Sequence, residues 1–362
     1  MSDKQTIRMI EAYNSQASPT RFLTSLFRSP AENFHNSEAV EIDISRSDEE
    51  VSIVITDLST GYQYNSADLY TNKKFIPAIH KEAAPLNAFD LIKREAGQNP
   101  FMTPNFQRNA TIRAMEVFRK MEDKIRRAIE LQASQVLTTG QLDLKDASGN
   151  TVYSVDFKPK AAHFPTAGTA WNAGGNVSGD ISALADVIRN NGLEDPDQLI
   201  MGEGSFEAAI ANTDFKARFD NRRIDVGAIS PMAQSQAGTG GGQFRGTVDI
   251  GNYKYQVWTY GGRYKNPASG AKVKYVPDAK CIVRSSTGRL DATFGSIPQI
   301  VRPDQRVMPF LPSRMSNQQG RIDLFTNAWV TPDGEQLFVS AGARPLLIPT
   351  AIDTYGCLST GV

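Results

Sequence analysis

The chain has 362 residues, enough for two or three folding units at about 150 residues each. Its 39 Lys and Arg are balanced by 39 Asp and Glu, which argues against a surface built to neutralise many phosphates, because that needs a clustered excess of cations. Two cysteines, Cys281 and Cys357, are too few for a disulfide framework and fit a reducing compartment. The polar start MSDKQTIRMIEAYNSQ lacks the apolar core of a signal peptide, and no stretch approaches the ~20 apolar residues of a membrane span, so synthesis in the cytosol is expected.

In chain order, residues 1–40 alternate weak helical patterns with breakers. Phe22, Leu23, Leu26 and Phe27 stand at helical spacing, but the Pro and Asn punctuation around them speaks for an extended arm rather than a domain. EAVEIDIS and EEVSIVITD are β-rich. The segment from about 59 to 100 then mixes β-formers with turn residues and holds Pro77, Pro85 and Gly97 without sustained periodicity. It reads as a long loop or β-excursion with little core of its own, and His80 within it as an ordinary surface residue.

A helix much longer than usual follows, from about 105 to 138. Thr103 is its expected N-cap, Pro104 suits the first helical position, and Gly140 is the stop. Phe106, Ala110, Ala114, Phe118, Met121, Ile125, Ala128, Ile129, Ala133 and Val136 recur in steps of mostly three and four, which makes one narrow apolar stripe. Glu116 precedes Lys120, Glu122 precedes Arg126 and Asp123 precedes Arg127 by four residues, each pair contributing roughly 0.2–0.5 kcal/mol when exposed. At ~1.5 Å per residue the rod is about 50 Å long. It must run past its own core or along a flat subunit. Coiled-coil pairing fits less well, because regular Leu is missing and Arg113, Lys120, Lys124 and Arg127 crowd the stripe.

Beyond Gly140, LDLKDASGNTVYSVDFKP is a hairpin pattern turning at Ser148-Gly149-Asn150. AGTAWNAGGNVSGD is a Gly-rich connector. DISALADVIRNNG then reads as a helix with Asp180 as N-cap and Gly192 as C-cap. A short buried strand, a helix starting at Phe206 with Ser205 as its cap, and several strands complete an α+β unit over 177–305. The last strands flank the turn Thr331-Pro332-Asp333-Gly334.

Enzyme signatures are weak. His35, His80 and His163 are scattered without metal-ligand spacing. Ser205 lacks the G-x-S-x-G elbow. The cluster Gly238-Thr-Gly-Gly-Gly242 is followed by Gln243 and Phe244 instead of the Lys-Ser or Lys-Thr of a phosphate loop. A phosphate-binding enzyme using residues 238–242 stays as an alternative, with a surface loop as the plainer reading. Trp171, Trp258 and Trp329 read as packing residues.

The order of these pieces resembles the major capsid proteins of tailed phages, and more closely the lambda-type phage major capsid protein E family. The resemblance rests on Phe75, Pro77, Lys81, Pro85, Arg94, Gly97, Asn99 and Pro100 ahead of the long helix, and on Phe22-Leu23 through Leu26-Phe27 in the arm. Trp171 with Asp180-Ile181, FDNRRIDVGAISP, and the closing TNAWVTPDGEQLFVSAGARPLLIPT add to it. The 231–246 loop and the 296–320 connector depart from it. It implies an α+β, HK97-like phage capsid fold: an N-terminal arm (1–50), an extended β-loop (51–101), a peripheral domain (102–176 and 306–362) with the long spine helix at 104–139, and an axial domain (177–305). The function implied is self-assembly into hexamers and pentamers of an icosahedral head around double-stranded DNA. It implies no catalysis, cofactor, metal or membrane, with decoration, scaffolding and portal proteins as further partners. Subunit-interface candidates are Phe22, Phe27, Tyr62, Tyr64, Glu122, Arg126 and Arg127. An encapsulin-like nanocompartment shell is the alternative within the same fold.

Overall fold

A computed structural model describes residues 21–30, 33–34, 40–45, 70–87, 106–146, 148–220, 222–225, 228–231, 241–297, 324–331 and 336–362. Its longest element is helix α1, Phe106–Thr139, of 34 residues. From Ala114 onward most of the expected stripe is buried, with Ala114, Phe118, Met121, Ile125, Ile129, Ala133 and Val136 all within the core. Gly140 ends the helix at φ +67° and donates its N–H to Val136 O at 2.9 Å. A Cβ there would stand 2.5 Å from Pro159 Cγ, so both the backbone and the space demand glycine. The expected cap at Thr103-Pro104 lies outside the described residues.

Ahead of α1, strands β1 (Val40–Ser45) and β2 (Tyr70–Phe75) form an antiparallel ribbon. Strand β3 (His80–Asn87) lies in the segment read as a long loop or β-excursion with little core of its own. Its partner comes from the far end of the chain, a pairing no local pattern announces. Pro85 is tolerated because β3 is an edge strand. His80 is half-buried rather than an ordinary surface residue, and its Nε2 lies 3.1 Å from the Gln132 side-chain nitrogen on α1. Past α1, β4 (Gln141–Lys145) and β5 (Thr151–Asp156) make the expected hairpin. Gly149 takes φ +89°, and Asp146 Oδ1 accepts the N–H groups of Ser148 at 2.8 Å and Asn150 at 2.9 Å.

Helix α2 spans Val177–Gly192, and its caps differ from those expected. Asn176 is the N-cap, accepting from Gly179 N at 3.0 Å, while Asp180 sits in the first turn and accepts from Trp171 Nε1 at 2.9 Å. At the other end Leu193, not Gly192, takes the left-handed conformation at φ 57°. Gly192 serves a close approach instead, since its Cβ would lie 2.4 Å from Asp353 O. Strand β6 (Gln198–Met201) leads to α3 (Glu203–Ala211) and α4 (Thr213–Arg218). Ser205 lies inside α3 rather than capping it, and its Oγ donates to Asp278 O at 2.6 Å.

The remaining strands are β7 (Phe219–Asp220), β8 (Arg222–Asp225), β9 (Ala228–Pro231), β10 (Gly242–Ile250), β11 (Tyr253–Tyr260), β12 (Arg263–Lys265), β13 (Lys272–Lys274), β14 (Lys280–Arg284), β15 (Asp291–Phe294), β16 (Phe325–Val330), β17 (Gln336–Ala343), β18 (Pro345–Ile348) and β19 (Tyr355–Ser359). Residues 242–246, expected in a loop, therefore open β10. The largest sheet has the order β19-β14-β6-β11-β10-β7, with β6 and β11 parallel and its other pairs antiparallel. The C-terminal strand β19, expected with the peripheral part, completes the sheet of the expected axial part. Side chains alternate across this sheet. Leu199, Met201, Val257, Cys281 and Val283 join the α2 core, while Ile200, Tyr260, Ile282, Tyr355 and Cys357 join the α1 core. The two cysteines thus occupy opposite cores, and burial raises both thiols, Cys357 to about 12. A second sheet, β16-β17-β3, packs on α1 beside the pair β15-β18. Among the described residues no helix is long and apolar enough to cross a membrane.

Candidate functional site

One polar position interrupts the buried side of α1. Glu130 has no exposed surface, and a carboxylate taken out of water is unfavourable unless its oxygens are hydrogen-bonded. The N-terminal arm supplies the donors. Glu130 Oε1 accepts from Leu23 N at 2.9 Å, and Oε2 accepts from Thr24 N at 2.9 Å and Thr24 Oγ1 at 2.6 Å. These backbone groups open the short turn Thr24–Leu26, so the helix side chain caps a turn more than a hundred residues away in sequence. Tyr260 lies below the carboxylate. Burial, reinforced by the charge of Glu130 and a hydrogen bond to it, holds that phenol far above its usual range. Tyr275 stacks on Tyr260 with ring centres 6.0 Å apart, and burial first of all pushes its hydroxyl up to about 12.

Apolar contacts fix the same segment. The Phe22 ring centre is 5.4 Å from that of Tyr260 and 5.6 Å from that of Trp258. A Cβ on Gly242 would lie 2.3 Å from Phe22 Cδ2. The last glycine of the cluster is therefore explained by the arm passing over β10. Gly238 to Gly240 lie outside the described residues. Leu23 and Phe27 are buried as well, and burial of each such side chain contributes roughly 1.5–3 kcal/mol. Further on, Arg28 N donates to Leu290 O and Ala292 N to Arg28 O, both at 2.8 Å. Phe34 stacks on Phe294 at 5.0 Å.

Phe22 and Phe27, expected at subunit interfaces, are thus placed in the subunit's own core. The reason is physical: Glu130 pins the backbone between them, at Leu23 and Thr24, and Gly242 leaves room for the Phe22 ring. Glu122 and Arg126 form an i,i+4 ion pair at 3.5 Å with side chains only 11% and 12% exposed. Arg127 is about half exposed, 4.0 Å from Asp123, and its carbonyl accepts from the Tyr275 hydroxyl at 3.3 Å. Tyr62 and Tyr64 lie outside the described residues. Sequence reasoning missed Glu130, Thr24 and Tyr260. The one available signal was an acid directly beside Ile129 of the stripe. It also missed Arg344, which is buried and clamps the β2–β3 link by donating to Pro77 O at 2.9 Å and Ser296 O at 3.1 Å.

The two described histidines are engaged separately, and His35 lies outside the described residues. His163 is buried with Nδ1 2.9 Å from Tyr355 O, and His80 faces Gln132. Among the described residues no three His, Cys, Asp or Glu converge as for a metal ion. What the geometry provides is attachment: a long helix that carries two sheets and holds an arm along its flank.

The profile of phage major capsid protein E matches residues 5–355. The chain belongs to the phage major capsid protein E family. Its α+β architecture is the HK97-like capsid fold, and the protein is a capsid shell protein. The fold is similar to that of a prophage capsid protein from Escherichia coli CFT073, with a TM-score of 0.66 at 16% identity over 97% of this chain and 98% of that one. The capsid of Ralstonia phage GP4 is similar at a TM-score of 0.43 and 11% identity, covering 96% of this chain and 88% of that one. An encapsulin complex from Synechococcus elongatus PCC 7942 has a TM-score of 0.46 at 9% identity, over 97% and 94% of the two chains. These last two scores carry no weight between phage head and nanocompartment, whereas the family match lies on the phage side. No curated protein matches the chain.

Proposed function

We propose that copies of this capsid protein close into hexameric and pentameric rings of an icosahedral phage head that encloses double-stranded DNA. The family match across residues 5–355 carries the reading. Physical features support it. A helix of about 50 Å suits a wide, thin subunit, and a balanced charge of 39 cationic against 39 acidic residues suits a container that must not grip its DNA.

In this reading 177–305, joined by β19, forms the axial domain, and 102–176 with the rest of 306–362 forms the peripheral domain. The arm is 1–50 and the extended loop 51–101. Phe22 and Phe27 serve assembly indirectly, by fixing where the arm leaves the subunit. Of the other interface candidates, Tyr62, Tyr64 and Arg127 meet neighbours in this reading, while the Glu122–Arg126 pair is largely covered within its own subunit. Scaffolding, decoration and portal proteins are the further partners, and there is no reaction to assign. The protein is made in the host cytoplasm and ends in the virion capsid. Negative-stain imaging of the purified chain under assembly conditions tests this: closed particles tens of nanometres across are expected, and a monomer under every condition tried would refute it.

A further inference from the structure

Strand β14 ends at Arg284, whose side chain is only 4% exposed. Strand alternation puts it on the same face as Ile282, toward the α1 core. Its backbone is fully used: it lies between Gln198 and Tyr355 in the sheet, and its carbonyl accepts from Asp197 N at 3.1 Å. The guanidinium is different. Nε is buried without a hydrogen-bond acceptor, and no ion pair to Arg284 is found among the described residues.

The acids whose charge reaches Arg284 are Asp197 and Glu194, and both are engaged elsewhere. Asp197 accepts from Ser286 N at 2.6 Å and from Ser286 Oγ at 2.5 Å. Glu194 Oε2 accepts from Thr287 Oγ1 at 2.7 Å. The exposed Arg28 of the arm adds a second positive charge nearby. Burial above all, with the repulsion of Arg28, pulls the Arg284 pKa down to about 10, which still leaves it charged at neutral pH. A desolvated cation beside another cation is unfavourable unless an anion reaches it. Guanidinium forks match the two oxygens of a carboxylate.

We infer that Arg284, with Arg28 beside it, receives a carboxylate side chain from a second copy of this chain across a subunit interface. The inference rests on the shell reading, which surrounds each subunit with copies of itself. Those copies carry as many acidic as basic residues. At 4% exposure Arg284 offers almost no surface to a nucleic-acid backbone.

The test uses the full-length chain without DNA and compares wild type with Arg284→Met. Two quantities are read: the melting temperature of the dissociated subunit, and the critical concentration for shell formation by light scattering and electron microscopy. Met keeps the unbranched stem as far as the position of Nε and removes the unpaired charge. The expected result is a melting temperature at or above that of wild type together with a critical concentration raised tenfold or more. A lower melting temperature would mean that the guanidinium is satisfied inside its own subunit. Shells of the variant at the wild-type critical concentration would mean that no neighbour, or only packaged DNA, uses it. Either result overturns the inference. If wild type itself forms no shells, the shell reading fails and takes the inference with it.

Discussion

Glu130 and Arg284 are both buried charges on the α1 side of the subunit, and they differ in one respect. Each Glu130 oxygen accepts hydrogen bonds from the arm, whereas Arg284 has no ion pair among the described residues. A buried charge satisfied by its own chain is part of folding, while one left unsatisfied looks outward to assembly. Stability of the isolated subunit and ability to form shells should therefore separate at these two positions.

Removing Glu130 should have the largest effect. Glu130→Ala strands two backbone N–H groups and two hydroxyls in a dry site, and breaking such a buried charged network costs roughly 3–5 kcal/mol. Urea unfolding of the dissociated subunit should show this loss, and limited proteolysis should cut the arm near Phe22 faster. A subunit of unchanged stability would remove the arm anchor from the account. Arg284→Met is the opposite pole of the comparison, leaving subunit stability intact while assembly suffers.

Gly242→Ala comes next. The added methyl would meet the Phe22 ring at 2.3 Å, and overpacking of this kind costs typically about 1–3 kcal/mol. Because the strain exists only against Phe22, the double variant with Phe22→Ala should fall short of the sum of the single losses by at least ~0.5 kcal/mol. Additive losses would show that Gly242 matters for its backbone rather than for the arm.

These positions also mark what the sequence could disclose. The stripe of α1 and its glycine stop were legible because helical periodicity and a left-handed terminus are local properties. The β4–β5 hairpin was legible for the same reason. Strand β3 was only half legible, as a loop or β-excursion, since its pairing partner β17 comes from the other end of the chain and Pro85 within it looks like loop. The caps of α2 were displaced because Asn176, Asp180 and Gly192 are all cap-forming residues, and only tertiary neighbours such as Trp171 and Asp353 assign their roles. Glu130 stands as a single acid beside the stripe, and no local pattern sets it apart from the other charges of α1. Its meaning came from the arm, which pattern reading had left without a partner.

His80 offers a third ionisable group against α1, half-buried, with an effect that depends on pH. Burial lowers its pKa from the ordinary 6.5, only partly offset by the charge of Glu82. The folded subunit therefore prefers the neutral ring, and below pH 6.5 the unfolded chain binds the proton more readily. His80's contribution is complete above that value and declines as pH falls from there toward its lower folded pKa, because stability rises with pH wherever the unfolded state holds more protons. His80→Gln, which keeps a polar group near Gln132 without titrating, should flatten the decline of subunit stability between pH 7 and pH 5. This should be the smallest of the four effects, since His80 is only half-buried. A wild-type slope equal to that of the variant would show that β3 opens freely enough at that end to let His80 titrate as it does in water.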